Sequence, residues 1–69
     1  MTGKERVARE AVKEVKNHMI LGLGSGSTVE YFIEALSEKI REENLEITTV
    51  STSVKSRNLA EKLGVKVTD

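Results

Sequence analysis

The densest group of residues able to do chemistry occupies seven consecutive positions, Gly22-Leu23-Gly24-Ser25-Gly26-Ser27-Thr28. Gly22, Gly24 and Gly26 give a backbone that can turn sharply and that a ligand can approach with no Cβ in the way. Ser25, Ser27 and Thr28 add hydroxyl donors. An apolar run precedes the loop and an amphipathic stretch follows it. A strand that feeds a glycine loop and opens a helix is an anion-binding arrangement. The first N–H groups of the helix lack intrahelical partners, and the helix dipole puts partial positive charge at that end. The pattern points to a phosphate or a sugar hydroxyl. A tight connection with ordinary caps accounts for Gly24 and one hydroxyl, but not for three glycines and three hydroxyls crowded together.

Two nucleotide-binding motifs fail on inspection. The dinucleotide fingerprint G-x-G-x-x-G needs glycine at position 27, which is serine. It also needs an acid near the end of the second strand, where this chain has Val50-Ser51-Thr52-Ser53. A Walker A loop needs a lysine that is missing here. No residue earns a catalytic role either. Glu30 and Glu34 share a helix face near the loop, but Glu30 reads as the capping-box partner of Ser27 and Glu34 as a solvated charge. His18 reads as an exposed turn residue, Lys55 and Arg57 as surface charges, and Glu38 to Glu43 as a solvated helix end. With one histidine and no cysteine, a metal site is not expected.

The elements that must position the loop follow from periodicity. Thr2-Gly3-Lys4-Glu5 fits a capping box, and Val7, Ala8, Ala11, Val12 and Val15 then fall on one helical face, with a stop at Asn17-His18. Met19 to Leu23 lacks polar alternation, which predicts a strand covered on both faces. Ser27-Thr28-Val29-Glu30 fits a second capping box, opening a helix that buries Val29, Phe32, Ile33, Leu36 and Ile40. Leu45 to Val50 reads as a second strand. Ser51-Thr52-Ser53 offers N-caps for a third helix that buries Val54, Leu59, Ala60 and Leu63 and ends at Gly64, where φ > 0 is usual. Val65 to Thr68 is a short third strand. The fold class expected is α/β, a three-layer Rossmann-like half-domain. Its α-β-α-β-α-β elements build a parallel sheet of order 3-2-1 through right-handed crossovers.

Composition narrows the function classes. Leu, Ile, Val and Phe make up 19 of the 69 residues, above the level of disordered chains. A chain this small forms a thin core of marginal stability. Lys plus Arg and Asp plus Glu both number 11, so no net charge draws the protein to nucleic acid or membrane, and one Tyr and one Phe offer no platform for stacking bases. No unbroken apolar run is longer than that of Met19 to Leu21, far too short to span a bilayer, and the charged N-terminus is unlike a signal peptide. The compartment expected is the cytoplasm.

Met19-Ile20-Leu21-Gly22-Leu23-Gly24-Ser25-Gly26-Ser27-Thr28, followed by Tyr31-Phe32-Ile33 and Leu36, resembles the first strand, loop and helix of ribose-5-phosphate isomerase type A. Thr52-Ser53 and Leu59-Ala60-Glu61-Lys62-Leu63-Gly64 are similar to the family's next segment at matching distance. The resemblance implies a Rossmann-like core and interconversion of ribose 5-phosphate with ribulose 5-phosphate, in the pentose phosphate pathway, without metal or organic cofactor. It implies that Ser25, Gly26, Ser27 and Thr28 touch the phosphosugar and that Lys4 helps hold the phosphate. The family often has glycine in the turn before the first strand, where this chain has Asn17-His18. Its Asp-Gly-Ala-Asp segment, its lysine followed by glycines and its catalytic glutamate have no counterpart in these 69 residues.

Residues 1–69 are thus expected to form one N-terminal Rossmann-like segment, a truncated or engineered part of a larger domain, inactive alone. Two rivals stand beside this reading: a folding fragment with no catalytic function, and the sugar-phosphate effector domain of a transcription regulator. The loop sequence favours the isomerase. Self-association is expected through the strand Met19 to Leu23, which a 3-2-1 order leaves at a sheet edge.

Overall fold

A computed structural model describes residues 3–68 and gives six elements in the expected order. These are α1 (Gly3–Val12), β1 (Ile20–Leu23), α2 (Ser27–Glu43), β2 (Thr48–Ser51), α3 (Val54–Lys62) and β3 (Lys66–Thr68). The strands form one parallel sheet with β2 in the middle. Stepwise order and right-handed crossovers place α2 and α3 on the same face of that sheet, where they pack together. The α/β class and strand order are those expected from the sequence.

Register explains which strand residues are buried. Leu21, Thr49 and Val67 align across the strands and face the helices with Leu23, whereas Ile20, Thr48 and Lys66 align on the opposite face. Helices stand on one side only, so the sheet is half of a sandwich. Ile20 is 73% exposed for this reason, and the expectation of a strand covered on both faces is corrected. The core lies between sheet and helices, where Ile33, Leu36 and Ala60 are fully buried against Leu23, Ile47 and Val65.

Helix boundaries differ from the sequence reading in instructive ways. Helix α1 ends at Val12, not at Asn17, and tight turns carry the chain on to Val15. Its last carbonyl and two in the turns beyond it are held by Lys39 of α2, whose Nζ donates to the oxygens of Val12 (3.0 Å), Val15 (2.9 Å) and Lys13 (3.4 Å). A cation suits the negative end of a helix dipole. Lys39 is therefore a cap, and not part of a merely solvated run. Asn17 Oδ1 accepts from the N–H of Glu46 at 2.7 Å, and His18 has φ 68, a left-handed conformation that favours glycine. Val7 at 59% and Val54 at 75% exposure stand outside the core, contrary to expectation. Ala11 is exposed as well.

Helix α3 starts and stops as expected. The Ser53 side chain accepts from the N–H of Ser56 at its N-terminus. At its end Gly64 has φ 81, while Val65 N–H bonds the Ala60 carbonyl (2.8 Å) and Gly64 N–H that of Glu61 (3.1 Å), a Schellman arrangement. The Thr2–Glu5 capping box involves Thr2, which lies outside the described residues; Glu5 pairs with Arg9 at 3.5 Å.

Candidate functional site

The loop leaves β1 at Leu23 and enters α2 at Ser27. Gly26 is the N-cap, at φ 109 and ψ 169, a region open only to glycine. Its carbonyl accepts the first helical bond, from Glu30 N–H at 3.2 Å. This overturns the capping box read at Ser27 and Glu30. Ser27 is already helical, no side chain caps α2, and the Glu30 carboxylate instead pairs with Lys55 Nζ at 3.4 Å. The backbone N–H groups of Ser25, Gly26, Ser27 and Thr28 have no hydrogen-bond acceptor among the described residues. Four consecutive donors without a protein acceptor thus lie at the positive end of a 17-residue helix.

Lys4 reaches this place from another element. Packing of α1 against α2 brings its Nζ within 2.7 Å of Ser27 Oγ, across 23 positions of sequence. The ammonium donates and the hydroxyl accepts, so the proton on Ser27 Oγ remains available to a ligand. Ser25 and Thr28 are exposed beside it, and Ser27 is half-buried. All five residues expected to bind a ligand are therefore gathered at one end of α2.

Gly22 and Gly24 have a different role from Gly26. Neither has a positive φ, and a Cβ at either would meet no protein atom within 4 Å. Protein packing does not demand glycine at these positions. What their lack of a side chain provides is open approach to the loop, where an apolar wall of Val7, Ala8, Val29 and Phe32 stands nearby.

Sequence reasoning missed the residues that support the loop from behind. Ser56 of α3 is 2% exposed, and its hydroxyl donates to the Gly24 carbonyl at 2.7 Å. Thr52 donates to the Leu23 carbonyl through its N–H (3.1 Å) and its hydroxyl (3.4 Å). The only available signal was the clustering of hydroxyl residues from Ser51 to Ser56.

A second cleft lies between α1 and α2, lined by Arg9, Lys13, Lys39, Glu10, Glu38 and their neighbours. Several of its charges are engaged with protein groups: Lys13 pairs with Glu10 (3.0 Å), Arg9 with Glu38 (4.0 Å), and Lys39 caps α1. The loop, by contrast, presents unpaired donors.

Comparison with known proteins extends these observations. Residues 1–68 match the DeoR C-terminal sensor domain family. The chain belongs to that family. At the level of residue identity, this sensor-family chain matches the N-terminal part of ribose-5-phosphate isomerase type A. It is 50% identical over 64 residues to ribose-5-phosphate isomerase A of Levilactobacillus brevis, covering 93% of this chain and 28% of that protein. The solved ribose 5-phosphate isomerase A of Methanocaldococcus jannaschii superposes with a TM-score of 0.91 at 43% identity, over 94% of this chain and 29% of the other. A solved D-ribose-5-phosphate isomerase in complex with phospho-erythronic acid superposes with a TM-score of 0.90 at 36% identity, over 96% of this chain and 29% of the other. The resemblance first carried by the loop therefore holds over almost the whole chain, which spans less than a third of these relatives' length. No helix among the described residues is long and apolar enough to cross a membrane.

Proposed function

We propose that this chain is the phosphosugar-binding segment of a cytoplasmic aldose–ketose isomerase that interconverts ribose 5-phosphate and ribulose 5-phosphate. The observation that carries the reading is the Lys4 ammonium beside Ser27, at a helix start whose N–H donors have no protein acceptor. The phosphate sits against the N–H groups of Ser25 to Thr28, with Lys4 supplying the full charge. Hydroxyls of Ser25, Ser27 and Thr28 donate to phosphate or sugar oxygens. Phospho-erythronic acid, the ligand of a relative, pairs a phosphate with a short polyhydroxy chain, the same chemistry as the sugar.

Isomerisation moves a proton from C2 to C1 through an enediolate, with no net redox change. It needs a base at carbon and groups that stabilise the enediolate oxygens. The described residues place neither at the loop, and the chain serves as one segment of a larger Rossmann-like domain. The chain alone binds without turnover, and copies associate through β1.

Membership in the sensor-domain family favours a second reading, in which the same loop reports a sugar phosphate to a transcription regulator. Titration of the ¹⁵N-labelled chain with ribose 5-phosphate tests both. Loop amides from Ser25 to Thr28 move most, and shifts confined to residues 39–43, or none at millimolar ligand, sink the binding site. Sustained turnover by the repurified chain, abolished by Thr28→Ala, overturns the claim of binding alone.

A further inference from the structure

The loop has two chemically opposite sides. Its first two carbonyls, Leu23 and Gly24, are tied back by Thr52 and Ser56 of the β2–α3 segment. Its next four N–H groups, from Ser25 to Thr28, have no acceptor among the described residues. Carbonyl oxygens carry partial negative charge and repel an anion, so where they point matters as much as where the donors point.

Ser56 stands out within this arrangement. Burying a hydroxyl is unfavourable unless it is hydrogen-bonded. A helical serine usually satisfies itself on the carbonyl three or four residues back. Ser56 reaches across 32 positions of sequence instead, to the oxygen of Gly24 at 2.7 Å, while its own N–H meets the Ser53 cap. The Gly24–Ser25 peptide is trans, and in a planar trans unit the C=O and N–H point in opposite directions. Fixing the Gly24 oxygen on Ser56 therefore turns the Ser25 N–H away from α3 and outward.

We propose that Ser56 is a positioning residue of the anion loop: its hydroxyl holds the Gly24 carbonyl away from the ligand and so sets Ser25 N–H as a donor. This rests on the reading of the loop as a phosphate site. Without the strut, two glycines flanking Ser25 leave the peptide free to rotate and present an oxygen to the anion. Ser56 touches no ligand itself.

The test compares wild type, Ser56→Ala and Ala60→Gly by NMR. Ala60→Gly weakens the same helix at its other buried position while removing no hydrogen bond to the loop. In the unliganded chain, Ser56→Ala moves the Gly24 carbonyl carbon and the Ser25 amide, and Ala60→Gly leaves both in place. Inorganic phosphate then binds Ser56→Ala about fivefold more weakly, the effect of one lost hydrogen bond. Equal resonances at Gly24 and Ser25 in the two variants, or equal phosphate affinity, overturn the proposal. Wild type that fails to bind millimolar phosphate counts against the phosphate reading alone, and the Gly24 and Ser25 resonances still decide whether Ser56 sets the loop. If Ser56→Ala does not fold, Ser56→Thr and Ser56→Val, equal in bulk and differing only in the hydroxyl, replace it under the same criteria.

Discussion

Lys4 Nζ lies 2.7 Å from Ser27 Oγ, joining the first turn of α1 to the first turn of α2 at the mouth of the glycine loop. Both side chains have ordinary alternatives: an exposed lysine can remain in water, and a first-turn serine can serve as a cap. Their meeting gives one helix N-terminus a full positive charge in addition to its dipole. Lys4→Ala should therefore weaken binding of ribose 5-phosphate about fivefold to twentyfold. Because the lysine is exposed, stability should change by less than about 0.5 kcal/mol. Isothermal titration, paired with thermal melts of both proteins, checks the two halves. Unchanged affinity would remove Lys4 from the site.

The loop glycines should separate cleanly under substitution. Gly26→Ala forces a side chain into φ 109, which costs about 1–3 kcal/mol, and each kcal/mol lowers Tm by about 4–8 °C in a domain of this size. Gly22→Ala meets open space at an ordinary φ, so its melt should stay within about 0.5 kcal/mol of wild type or rise slightly. Equal destabilisation by the two changes would contradict the backbone assignment.

Lys39 tests how α1 is held. Lys39→Met keeps the aliphatic stem and deletes the ammonium that binds the Val12, Lys13 and Val15 carbonyls. A loss of about 1–2 kcal/mol is expected. Hydrogen exchange should quicken first at amides near the end of α1. Since α1 carries Lys4, phosphate affinity should fall modestly as well. Uniformly faster exchange across the chain would argue against a local cap.

Local chemistry made much of this readable before the structure. Gly64 was legible as a helix stop because an amphipathic run ends beside it, and the order of strands followed from the alternation of elements. The loop was legible because glycine and hydroxyl density is a local property. Lys4 was placed only through family resemblance, since nothing local links it to a loop 23 positions away. Ser56 and Lys39 were missed for the same reason: their partners are brought to them by packing. Val7, Val54 and Ile20 show the opposite error. Apolar patterning assigns residues to a buried face without knowing whether anything covers it; Val7 and Val54 are uncovered on their helices, and Ile20 lies on the open face of the sheet. The Ser27–Glu30 capping motif matched in spacing, but the conformation of Gly26 had already taken the cap position.

That open sheet also bears on association. Strand β1 pairs with β2 along one side, and its other side is an edge. Ile20 to Leu23 contains no lysine, proline or bulge to block pairing, and such edges recruit further strands. A core this thin favours the same outcome, because pairing buries more apolar surface per chain. Two copies joined along β1 would give one continuous sheet, with three strands from each copy. Sedimentation at tens of micromolar should show a dimer or larger species. Ile20→Lys offers the sharper test: the side chain points to the open face and is exposed, so a lysine there leaves the core intact while placing charge on the edge. It should shift the protein toward monomer with little change in helix content. A wild-type monomer whose Ile20 amide, on the side of β1 away from β2, resists exchange would mean that the edge is already covered within one copy, and association through β1 would be ruled out.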